Sequence, residues 1–134
     1  MRGNRRRRGQ TVMESALAVL CFALLLFGMV DCGALVLEKN FVSWAAGEGA
    51  RYAMVRGASA KAPATGESVS SFVKKLAVAI PRPDALSVTT TWPAGNGPGR
   101  MVRVSVRCLY RPMTTLALPE SISLSGTSET IIRQ

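Results

Sequence analysis

The 134-residue chain has no histidine. That removes the usual general base near neutral pH and the commonest metal ligand. Cysteine is scarce: Cys21, Cys32 and Cys108 are the only three. Cys21 and Cys32 lie in one apolar run, and on a helix their separation is about 16 Å of rise, too far for a bond between them. Cys108 has no partner in the polar part of the chain. Three cysteines without metal-ligand spacing make neither a disulfide framework nor a zinc site, so they read as small buried hydrophobes. Acidic residues are few, eight against seventeen Lys and Arg, and none precedes Glu14.

The net charge of +9 is unevenly spread. Arg2, Arg5, Arg6, Arg7 and Arg8 crowd the N-terminus, leaving twelve cations against eight acids from Gln10 onward. A nucleic-acid binder needs a basic patch on a folded face, which this distribution does not supply. The arginines fit a topological role instead, holding the N-terminus on the cytoplasmic side of a membrane.

A long apolar segment follows them. Ala16 to Val30 carries no charge, Asp31 interrupts, and Cys32 to Leu37 continues apolar until Glu38 and Lys39. A run from Ala16 to Leu37 is long enough to cross roughly 30 Å of hydrocarbon as a helix. The stretch is long for a removable signal sequence, and no A-x-A site follows it. Asp31 stands at its outer end, where it either meets water or contacts a neighbouring helix. Gly28 and Gly33 are small enough to permit close helix approach without forming a G-x-x-x-G pair. The layout is a leader over 1–9, a transmembrane helix over 10–37 and an extracytoplasmic domain over 38–134.

A plain anchor needs the arginines and the apolar run, but neither Gly9 nor Glu14. A cut after Gly9 would make Gln10 the new N-terminus and Glu14 the fifth residue. The new α-amino group is a cation of pKa about 8, about a turn from the carboxylate. A lone glutamate beside hydrocarbon is costly, and pairing with the amine of an adjacent subunit lowers that cost. Glu14 would then select the axial stagger between subunits, as a buried polar residue sets register in a coiled coil. The cut would also remove the mutually repelling arginines.

The basic leader, Gly9, Glu14 and the following apolar helix resemble a class III prepilin leader. Val30-Asp31-Cys32-Gly33 and Ala45-Ala46-Gly47-Glu48-Gly49-Ala50-Arg51-Tyr52-Ala53 resemble the signature of TadE-like proteins, minor pilins or pseudopilins of the tight-adherence (Flp) pilus system. The resemblance spans about residues 9 to 58. It implies cleavage between Gly9 and Gln10 by a prepilin peptidase. It also implies a mature protein in the bacterial inner membrane, N-terminus cytoplasmic and domain periplasmic, that meets other pilin, pseudopilin and Tad assembly subunits to build or initiate a pilus.

Beyond the membrane, Phe41 to Arg56 continues as helix, with Val42, Ala45, Ala46, Gly49 and Ala53 on or near one face. Glu48, Arg51 and Tyr52 lie within a turn of one another, so local polar pairing is expected. The motif Glu48-Gly49-Ala50-Arg51-Tyr52 reads as a helix packed on its own domain or as a surface for neighbouring subunits. Gly57 to Gly66 is a loop. Glu67 to Ile80 is an amphipathic helix ended by Pro81 and Pro83. Ala85 to Trp92, Met101 to Tyr110 and Ser121 to Ile132 read as three strands, with Pro93 to Arg100 as the first hairpin loop. The fold class is therefore α+β: a long membrane-spanning helix that continues outside, a short amphipathic helix and a small antiparallel sheet, pilin-like in outline.

No enzyme chemistry emerges. Gly95-Asn96-Gly97-Pro98-Gly99 lacks the Lys-Ser/Thr and helix of a phosphate loop. Ser71-Phe72-Val73-Lys74 matches S-x-x-K without its partner motifs. The sequence thus points to a TadE-like structural assembly protein, not an enzyme, needing no cofactor and binding no nucleic acid. The rival is an unprocessed single-pass anchor presenting a small periplasmic binding module.

Overall fold

The computed structural model describes residues 3–77, 85–113 and 120–133, with side chains described from residue 10. Its first element is one continuous helix, α1 (Gly3–Met54), of 52 residues, about 78 Å long. Two different environments hold it. The N-terminal half carries exposed apolar side chains such as Leu17, Phe22, Leu25 and Met29. The C-terminal half packs against a second helix and two strands of a sheet.

The second helix, α2 (Gly66–Leu76), begins at Thr65. The Thr65 hydroxyl accepts from the Ser68 N–H at 3.2 Å, and the Ser68 hydroxyl accepts from the Thr65 N–H at 2.9 Å. This reciprocal box satisfies two donors that an open helix start would leave bare. Val69 and Val73 are its buried side chains, one turn apart on the inward face.

Three antiparallel strands follow in the order β1-β2-β3: β1 (Ser87–Thr91), β2 (Met101–Tyr110) and β3 (Ile122–Ile131). On β2, Val102, Val104, Val106, Cys108 and Tyr110 are buried, whereas Arg103 and Arg107 are exposed. This is the period-two pattern of a sheet covered on one face. The register sets Arg103 opposite Glu129, and the two side chains pair at 2.6 Å on the open face. An exposed pair of this kind contributes little.

The covered face rests on the C-terminal half of α1 and on α2. Val42, Ala45, Ala46, Ala50 and Ala53 are buried there with Val69, Val73, Val104 and Val106. Small side chains on α1 let the sheet come close, and the limit of that approach is Gly126 of β3. A Cβ at position 126 would lie 2.7 Å from the Val42 carbonyl oxygen and 2.8 Å from Ser43 Cα. Strand and helix backbones are therefore in direct contact, which only glycine permits. At the far end, the Arg133 N–H donates to the Met54 carbonyl at 3.1 Å, so the segment just past β3 caps α1.

The α+β class is as expected, and the three strands fall where the periodicity places them; α1 starts earlier than expected, at Gly3, and α2 stops at Leu76 with Ala77 as its cap, short of the expected Ile80. Residues 78–84, with the expected helix breakers Pro81 and Pro83, lie outside the described residues. Cys108 is buried, but Cys21 and Cys32 are exposed on α1. Neither packs in the chain's own core: Cys21 lies on the stretch of α1 that no described element of the domain reaches, and Cys32 is exposed beside the buried Asp31. Tyr52 does not pair with Glu48; it stacks on Phe72 of α2, with ring centroids 4.5 Å apart.

Candidate functional site

The candidate site is α1 itself, in three successive parts. The first is the stretch from Gln10 to Val30, where no described element of the domain reaches. Gly9 and Gln10 lie inside α1, and the helix continues through them. Glu14 is exposed, and no ion pair involves it among the described residues. Next to it, the Ser15 hydroxyl donates to the Thr11 carbonyl at 2.9 Å. That bond satisfies the hydroxyl within the helix, so Ser15 is compatible with an apolar environment. Among the described residues Glu14 has no such internal solution. Met13 and Leu17 beside it are widely exposed.

The second part is Asp31. It is 1% exposed, the single buried charged residue among those described. Its carboxylate Oδ1 accepts from the Met113 N–H at 2.8 Å and from the Tyr110 hydroxyl at 3.4 Å. The same hydroxyl donates to the Asp31 carbonyl at 3.0 Å. Asp31 thus meets its own domain rather than open water or a neighbouring helix. It ties α1 to the end of β2, and these bonds meet the requirement of a buried carboxylate for partners. Burial and the nearby Asp31 carboxylate push the Tyr110 phenol up from its ordinary 10.0. Two turns of α1 further on, Cys108 lies 3.9 Å from Glu38 Oε2, and burial, then the Glu38 charge, raise its thiol from 9.0. Lys39 donates to the Ser125 carbonyl of β3. Gly33 is exposed with open space around it, so it remains available to a neighbouring helix.

The third part is the stretch Ala45–Ala53. Ala45, Ala46, Gly49, Ala50 and Ala53 face the domain and are buried. A Cβ on Gly49 would come within 3.0 Å of Val73 Cγ2 and 3.1 Å of Val104 Cγ1, so Gly49 sits where α2 and β2 converge. Glu48 and Arg51 pair at 3.2 Å on the outward side, with Arg51 largely exposed. Arg56 lies over the Tyr52 ring, 4.2 Å from its centroid, and bonds the Tyr52 hydroxyl. Of the two roles open to this motif, the structure shows packing on its own domain.

Sequence reasoning placed Asp31 at the outer end of the apolar run, facing water or a neighbouring helix, and missed its partners within the domain. Tyr110 read only as the end of a strand, and Met113 contributes a main-chain N–H that no side-chain pattern announces. Gly126 was visible as a glycine inside a strand, which is a signal of close backbone approach.

Among the described residues α1 is the one helix long and apolar enough to cross a membrane, which suggests a single-pass membrane protein with a small α+β domain beyond its anchor. Residues 9–51 match the family model described as TadE-like protein. The match begins at Gly9 and runs through Glu14, Asp31 and Glu48 to Arg51, so it takes in most of the three parts of α1. It supports a component associated with the membrane and with Tad pilus proteins. No curated protein and no solved structure matches the chain.

Proposed function

We propose that this chain is a TadE-like pseudopilin, a structural component that assembles or initiates a tight-adherence pilus and carries out no reaction of its own. In this reading a prepilin peptidase cuts between Gly9 and Gln10 at the cytoplasmic face of the inner membrane. The arginine-rich leader leaves, and the domain stays on the periplasmic side. The observation that carries the reading is Glu14: a charged side chain exposed on an apolar helix, with no ion pair among the described residues. A carboxylate at that depth calls for a cation. The amine created on Gln10 of an adjacent subunit supplies one and sets the stagger between them. Gly33 offers a second place for close helix approach, whereas Asp31 serves the subunit's own fold.

The test is the N-terminus of the mature protein. Intact mass from native membranes should show loss of residues 1–9, and Gly9→Leu should abolish that loss. Glu14→Ala should be cut normally yet fail to enter the assembly. A mature chain that keeps its arginines, in cells with an active prepilin peptidase, overturns the reading and leaves a plain anchor presenting a small domain. Normal assembly of the Glu14→Ala protein overturns the register role alone.

A further inference from the structure

The apolar run extends in sequence to Leu37, but the domain already covers α1 at Asp31. The two facts conflict unless the bilayer ends near Val30. The helix from Gln10 to Val30 is roughly 30 Å long, enough to cross the hydrocarbon. A span reaching Leu37 would also draw the exposed Arg111 and the buried Asp31 into hydrocarbon at the price such charges incur there. Asp31 therefore marks the outer boundary. The main chain of Met113 is hydrogen-bonded to the Asp31 carboxylate at 2.8 Å, so residue 113 is held at the same depth. Its side chain is nevertheless 78% exposed, and Leu109 on the same end of β2 is 45% exposed. Exposed apolar groups fixed at the edge of a bilayer, with an exposed arginine between them in sequence, fit an acyl–headgroup boundary: methionine and leucine toward the chains, guanidinium toward the phosphates.

We infer that the end of the sheet nearest the anchor lies on the bilayer surface, with Met113 in the lipid boundary layer and Arg111 at the phosphates. The partner is lipid, and the contact fixes the tilt of the domain relative to the membrane. The inference rests on α1 being a membrane span. Met101, at the opposite end of β2 and about 30 Å away along the strand, has an exposed apolar side chain of the same type and should see only water.

The full chain is reconstituted in vesicles of phosphatidylcholine and phosphatidylglycerol carrying brominated acyl chains. In a Trp44→Phe/Trp92→Phe background, one tryptophan is placed at a time by Met113→Trp, Leu20→Trp or Met101→Trp. Position 20 should be strongly quenched. Position 113 should emit to the blue of position 101 and lose intensity to bromine, while position 101 is unaffected. Arg111→Trp reads the same end through a second exposed position and should also be quenched. Quenching at position 20 with emission at 111 and 113 like that of 101 overturns the surface contact while the span stands. No quenching at position 20 overturns the span, and the surface contact with it.

Discussion

Replacing Gly126 with alanine adds one methyl group where the fold has no room for it. The new carbon would lie 2.7 Å from the Val42 oxygen, 2.8 Å from Ser43 Cα and 2.9 Å from Ser43 N. All three are main-chain atoms of α1, so no side-chain rotation relieves the contact. Carbon atoms rest at roughly 3.5 Å or more, so β3 and α1 must separate by something near 0.7 Å along their line of contact. That separation loosens Val42, Ala45 and Ala46 against the sheet. A loss of about 3 kcal/mol is expected, the upper part of the usual overpacking range. Gly47→Ala is the control. Its Cβ meets nothing within 4 Å, and inside a helix alanine is favoured over glycine by about 1 kcal/mol. The same chemical change little more than one turn of α1 from the contact should therefore stabilise. Denaturant unfolding of the detergent-solubilised full chain, followed by tryptophan emission, reads both. Equal midpoints for the two variants would refute the claim that helix and strand backbones touch at Gly126.

Tyr110→Phe removes the hydroxyl that bonds Asp31 twice and should cost about 2 kcal/mol, as a hydrogen bond to a charged acceptor does; an unchanged unfolding midpoint would show the junction to be slack. Thr65→Ala opens the capping box of α2 and should cost about 1 kcal/mol, seen as a lower melting temperature. The raised phenol of Tyr110 and thiol of Cys108 mean that the folded chain holds both protons more tightly than the unfolded one. Their stabilising contribution is complete below the ordinary values of 9.0 and 10.0 and is lost as pH rises through the folded values. Unfolding midpoints should therefore fall above about pH 9, and a Tyr110→Phe/Cys108→Ala chain should lose most of that slope.

The elements of this fold were legible because each has its own period. β2 alternates over Val102, Val104, Val106 and Cys108, and α1 beyond the membrane repeats Val42, Ala45, Ala46, Gly49 and Ala53 at three and four residues. Local spacing fixes a face but not what covers it. Hence the alanine-rich motif reads as a face packed on its own domain, with a subunit surface as the alternative, and only the structure shows α2 and the sheet upon it. Asp31 shows the limit most plainly. Hydropathy counts it as a flaw in an apolar run, because its partners lie 79 and 82 residues away in sequence. One of them is a main-chain group that leaves no trace in composition. Tyr52 has the same lesson at shorter range: its turn-mate Glu48 was the visible candidate, but aromatic stacking on Phe72 outcompetes a polar contact that Arg51 already supplies to Glu48.

The two carboxylates of the apolar run illustrate opposite solutions to one problem. A charge near hydrocarbon must find compensation, within the chain or outside it. Asp31 finds it within: the bonds from Tyr110 and Met113 make the top of the anchor part of the domain's core. Because α1 is both the anchor and the surface on which the sheet is built, a rotation or axial shift of the anchor reaches the sheet directly, with no loop between them to absorb it. Glu14 lies at the other end of the same rigid element, beyond the reach of every described part of the domain. If a neighbouring subunit's amine fixes the height of Glu14, it fixes the height of Asp31 as well, and with it the level of the whole domain. Register set at the cytoplasmic edge would then be delivered to the opposite face of the membrane by a helix that the Asp31 junction keeps from turning under its own domain. Loosening that junction by Tyr110→Phe should therefore blur the alignment of domains in the assembly even where Glu14 is intact, a result visible as lost cross-linking between defined domain positions with leader cleavage unchanged.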